Sequence, residues 1–131
     1  MLDLISSVVW LTLNVYFEAR GEPMEGKVAV VHVVKNRCHQ RGQSVVKVIT
    51  ASKQFSWVEA DGITQRAISN INLVRDLISC LTAVWIAGAE RLRGHTLGGA
   101  NHYHSVTVDP YWNDNMKLVD RIGRHKFYRD F

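Results

Sequence analysis

The chain has 131 residues, 47% hydrophobic and 21% charged, which supports one packed domain over residues 1–131 and excludes a disordered chain. Its formal net charge of +4 favours an anionic partner. The cations are scattered, however, and the densest group (Arg121, Arg124, His125, Lys126 and Arg129) does not interleave with aromatics in a regular way, so nucleic acid is not the expected partner.

No Lys or Arg precedes Arg20, unlike the basic start of a secretory leader. Residues 4–17 are too few and too amphipathic to span a bilayer. The expectation is therefore a protein made in the cytoplasm, without stable membrane insertion. The first segment carries the spacing of a helix, with Ile5, Val8, Val9, Thr12, Leu13 and Tyr16 facing a core. Gly21 offers a C-cap, and Pro23 suits the first turn of a second helix over residues 23–37. Val28, Ala29, Val30, Val31, Val33 and Val34 nearly encircle that helix, so it is expected to be central, with His32 a hydrogen-bonded core residue.

Residues 44–50 form a short apolar piece, helix or strand. Gln54-Phe-Ser-Trp57 reads as a short strand. Residues 64–93 read as one or two helices, with Ile68, Ile71, Leu77, Leu81, Val84 and Trp85 inside. Residues 101–108 alternate as a strand or extended loop, and residues 109–115 are rich in turn formers. A short helix is expected over residues 116–122. Cys38 and Cys80 belong to no CxxC pair and read as buried free thiols. The fold class is α+β, mostly helical with a few short strands.

Glu18 is the first residue with chemistry in its surroundings. It falls in the last turn of the first helix, where the helix dipole disfavours a carboxylate. Helical spacing puts Leu11, Asn14 and Val15 beside it. Both effects raise a carboxyl pKa, which suits an acid that donates a proton near neutral pH. The alternative is a surface Glu paired with Arg20 or Lys27. Glu22 reads as a cap for the second helix or a partner of Arg20.

In Gln54-Phe-Ser-Trp57, alternation puts Gln54 and Ser56 on one face, expected to bind substrate, and Phe55 and Trp57 on the other. Trp57 and Tyr103 stack on sugar or fill core; Asn101 and His102 join the candidate binding set. Tyr111 and Trp112 line a groove or close the core. His102 and His104 share one strand face, and a His-x-His pair can hold zinc. No HExxH accompanies it, so no metal and no cofactor is expected.

Tyr16-Phe-Glu-Ala-Arg-Gly-Glu-Pro-Met-Glu-Gly-Lys-Val-Ala-Val30, with Val34-Lys-Asn-Arg37, Gln54-Phe-Ser-Trp57, Gly98-Gly-Ala-Asn-His-Tyr103 and Ile122-Gly-Arg-His-Lys-Phe-Tyr128, resembles in order the blocks of the cell-wall hydrolase family of the spore cortex-lytic enzymes. The resemblance implies a lysozyme-like single domain acting on peptidoglycan glycan strands, as a lytic transglycosylase or a muramidase. It also implies that Glu18, first acid of the Glu-Ala-Arg-Gly-Glu motif, is catalytic. A two-carboxylate glycosidase needs a second acid, and Glu22, Asp61, Asp109 and Asp114 are undistinguished candidates. One acid suffices if Glu18 protonates the bond between N-acetylmuramic acid and N-acetylglucosamine and then acts as base on the muramic 6-hydroxyl, giving a 1,6-anhydro product. The chain also resembles a phage endolysin, a monomer that reaches the bacterial wall once a membrane-permeabilising partner has acted. A metal-dependent wall amidase and a non-catalytic wall-binding module are the competing readings.

Overall fold

A computed structural model of the chain describes residues 2–51 and 72–130. Helix α1 spans Leu2–Ala19, α2 Met24–Arg41, α3 Val45–Thr50 and α4 Leu73–Leu92. Strands β1 (His102–Ser105), β2 (Met116–Ile122) and β3 (His125–Asp130) form one antiparallel sheet in the order β1-β3-β2. The fold is thus α+β and mostly helical, as the patterning implied.

Helix α2 is the axis of the core. Val28 to Val34 are all buried, His32 included. Each fully enclosed valine contributes about 1.5–3 kcal/mol relative to exposure. Pro23 is its N-cap, and Gly42, at φ +62°, closes it in the left-handed region with its N–H on the Cys38 carbonyl. Helix α1 ends differently: Gly21 is not among the glycines of positive φ, and the Glu22 N–H bonds the Ala19 carbonyl at 3.0 Å. The 44–50 piece is helical, because the Ser44 hydroxyl caps it by accepting from the Lys47 N–H at 3.1 Å.

Three expectations need correction. In α1 the enclosed residues are Leu11, Asn14, Val15, Tyr16 and Ala19, while Ile5 and Val9 are exposed. This helix is apolar on most sides, so packing rather than periodicity selects its buried face. In α4 the buried positions are Cys80, Ala83 and Ala87; Leu81 and Trp85 are exposed, and Leu77 and Val84 are partly buried. Small side chains let α1 and α2 approach α4 closely. Residues 116–122 form a strand, not a helix, because Gly123 at φ +58° turns the chain back and pairs Ile122 with His125. The strand expected at Gln54–Trp57 and the start of the 64–93 segment lie outside the described residues.

Cys38 and Cys80 are free thiols, Cys80 fully buried, and burial pushes its pKa up to about 11. The His32 Nε2 lies 2.8 Å from Glu90 Oε1, tying α2 to α4.

Candidate active site

The sheet has two faces with different company. On the helix side, Tyr103 packs against Phe127 (5.7 Å between ring centres) and edge-on to His125 (5.3 Å). On the other side, His104 stacks on Tyr128 at 5.2 Å, and Trp112 covers His102, His104 and Tyr128 at 5.4–5.5 Å. Strand alternation makes this division.

Glu18 meets the first face. The last turn of α1 carries it to β1, where the Tyr103 hydroxyl donates to Oε2 at 3.2 Å. Burial raises the Glu18 pKa; the Tyr103 bond and the charge of Arg37 pull it back only in part. The carboxyl therefore holds its proton to higher pH than an ordinary glutamate. Both suggested surface partners contact other groups. Arg20 lies over the Tyr16 ring, 5.0 Å from its centre, and the Lys27 ammonium donates to the Glu22 carbonyl at 2.9 Å.

Arg37 is 7% exposed, and its Nε donates to the Asn101 carbonyl at 2.6 Å. Burial lowers it to about 10, so it remains a cation at neutral pH. Burial, the neighbouring Glu18 charge and the bond to it push Tyr103 well above the usual phenol range, keeping its hydroxyl a donor.

Glu18 opens into a cleft of about 280 Å³ that Glu22, Ser105, Arg124 and His125 also line. A larger cavity of about 570 Å³ lies between α2, α4 and residues 94–98. Its buried histidine, His32, is already paired with Glu90, so the smaller cleft, with an acid of raised pKa on its wall, is the stronger site.

Tyr103 is thus brought to Glu18, its ring fixed by packing. Asn101 is 3% exposed. Its Nδ2 donates to Gln40 Oε1 (2.8 Å) and Asp130 Oδ1 (2.7 Å), and its Oδ1 accepts the Asp130 N–H (3.2 Å) and lies 2.8 Å from His102 Nδ1. His102 and Trp112 sit on the sheet face opposite Tyr103, and Tyr111 is exposed. Gln54, Ser56 and Trp57 lie outside the described residues. Among the second-acid candidates, Glu22 lines the cleft, Asp109 and Asp114 are exposed, and Asp61 is not described. Among the described residues no group of three His, Cys, Asp or Glu could hold a metal ion.

Sequence reasoning missed Arg37 as a charged neighbour of Glu18 and His125 as a cleft group. An Arg in the buried stripe of an apolar helix was the available signal for the first. The second was visible as a basic cluster only. Glu22 does hold a structural place, but toward the Arg124 N–H (2.9 Å) and His125 rather than Arg20.

Tyr103→Phe is expected to raise the Glu18 midpoint further, because the lost bond favours the carboxylate. Carboxyl carbon shifts in an NMR titration check this; a midpoint that stays or falls would contradict the assigned contact.

The model of a family described as Cell Wall Hydrolase matches residues 21–128, a segment that begins just after Glu18. No curated protein matches the chain. One similar solved structure is the catalytic domain of the germination-specific lytic transglycosylase SleB from Bacillus anthracis. It is 25% identical over 94% of this chain and 93% of that one, with a TM-score of 0.68. The catalytic domain of the SleB protein from Bacillus cereus is also 25% identical, over 94% of this chain and 89% of that one, with a TM-score of 0.67.

Proposed function

Because this chain belongs to the cell wall hydrolase family, we propose that it cleaves peptidoglycan glycan strands between N-acetylmuramic acid and N-acetylglucosamine as a lytic transglycosylase, with residues 1–131 as one catalytic unit. The observation that carries the proposal is the Glu18 carboxyl, raised in pKa by burial and held by Tyr103 on the wall of a cleft. A carboxyl that keeps its proton can give it to the glycosidic oxygen as the bond breaks. The likeness to a lytic transglycosylase domain over nearly the whole of both chains supports that reaction class.

In this mechanism Glu18 protonates the departing oxygen, and positive charge develops at the muramic anomeric carbon. The 6-hydroxyl of the same sugar closes on that carbon and forms the 1,6-anhydro ring. Its proton passes to a base in the cleft, a role open to Glu18 once ionised. Arg37 stays charged beneath the acid and stabilises the carboxylate that proton transfer leaves behind. Glycan contacts are assigned to the cleft around Glu18 and Tyr103, with Gln54, Ser56 and Trp57 as further contacts; Asn101 holds the framework, and His102 and Trp112 extend the sugar surface on the outer sheet face. No helix among the described residues is long and apolar enough to cross a membrane. We read the protein as a monomer of endolysin type, acting on the wall after a membrane-permeabilising partner.

Incubation with purified cell-wall sacculi is expected to lower turbidity without releasing new amino groups. New amino groups with intact glycan would overturn the proposal in favour of amide cleavage.

A further inference from the structure

We infer that His125, oriented by Glu22, is the base that accepts the proton of the attacking hydroxyl in the Glu18 cleft. This rests on the glycan-cleavage reading above and assigns its base to a residue other than Glu18.

The two groups share one cavity and one intermediary. The Tyr103 hydroxyl reaches Glu18 at 3.2 Å, and the Tyr103 ring meets the His125 ring edge-on at 5.3 Å. Behind His125, Nδ1 lies 2.8 Å from Glu22 Oε1. Glu22 is itself 9% exposed and anchored by the Arg124 N–H at 2.9 Å. Gly123 makes the approach possible, since a Cβ there would come within 2.7 Å of Glu22 Oε2. The contact falls outside hydrogen-bond geometry, but a carboxylate this close to Nδ1 favours the proton there by charge alone, which leaves a lone pair on Nε2. The arrangement is more than a fastening of the β2–β3 turn, which the Arg124 N–H bond to Glu22 already supplies.

Among the charged and titratable groups around the ring, Glu18, Arg20 and Arg124 line the cleft with it, Tyr103 meets it edge-on, Glu22 lies at its Nδ1, and the charge of His104 acts on it. Burial and His104 hold His125 below the ordinary histidine range, against the pull of Glu22, so the imidazole is neutral near neutral pH. A neutral imidazole is the form able to accept a proton.

The step balances. The Glu18 proton goes to the departing oxygen, which keeps the electron pair of the broken bond to the anomeric carbon. The 6-hydroxyl oxygen bonds to that carbon, and its proton passes to His125 Nε2. Glu18 ends as carboxylate and His125 as imidazolium, no water is consumed, and proton exchange through solvent resets both.

The test is the pH profile of kcat/KM for His125→Asn and Glu22→Gln, with circular dichroism on each. His125→Asn is expected to lose on the order of 10²-fold in kcat, to lose the fall in activity on the acid side, and to recover part of its rate with added imidazole. Glu22→Gln is expected to move that fall to lower pH, because the carboxylate favouring the imidazolium is gone. A folded His125→Asn with a rate close to wild type, or with the acid-side fall unchanged, would overturn the assignment. If His125→Asn does not fold, Glu22→Gln decides alone: an unmoved acid-side fall would overturn it. Failure of the glycan-cleavage reading would appear separately, as wild-type products cut at peptide bonds.

Discussion

Glu18→Gln is expected to abolish lysis of cell-wall sacculi, with kcat falling on the order of 10³-fold and KM little changed. The substitution preserves shape and still accepts from the Tyr103 hydroxyl, but an amide has no proton to give a departing oxygen. Because burial already disfavours the Glu18 carboxylate, replacing it with a neutral amide leaves the fold intact, within about 1 kcal/mol. Activity of the wild type should decline as pH rises through the raised Glu18 midpoint, since the protonated form is the active one. The mutant should lack that decline in whatever activity remains. A folded mutant that retained lysis would remove Glu18 from the mechanism.

The second large effect is on stability. Asn101→Ala is expected to cost roughly 2–3 kcal/mol, lowering the thermal midpoint by roughly 10 °C. Its side chain binds Gln40, Asp130 and His102 from a buried position. Its carbonyl accepts from Arg37 at 2.6 Å, so a shift of this segment would also disturb the cation beneath Glu18. Thermal unfolding with measurement of KM separates the two roles. A lowered midpoint with KM close to wild type fits the framework; an unchanged midpoint with a raised KM would make Asn101 a glycan contact instead.

What could be read from sequence followed the range of the interactions. Helix α2 was legible because valines on nearly every side leave it no place but the interior, and Pro23 marks its beginning. The Glu18 motif was legible because its signals lie within one turn. The buried face of α1 was not, since its apolar residues surround the helix and the choice falls to Asn14, Val15 and Ala19 against their neighbours. In α4 the large residues Leu81 and Trp85 drew attention, while close packing selected Cys80, Ala83 and Ala87. Residues 116–122 show no clear period, and their strand state depends on Gly123 and on pairing with β3. The contacts of Glu18 with Tyr103, and of Glu22 with His125, join residues far apart in the chain, so spacing could not disclose them. Resemblance marked the blocks that carry these residues without saying which side chains meet.

The most direct measurement of the central claim is the mass of the muropeptides released from peptidoglycan by the wild-type protein. Products ending in 1,6-anhydro-N-acetylmuramic acid, absent with Glu18→Gln, are the predicted result. Products heavier by one water, with no anhydro ends, would contradict it and make the enzyme a muramidase.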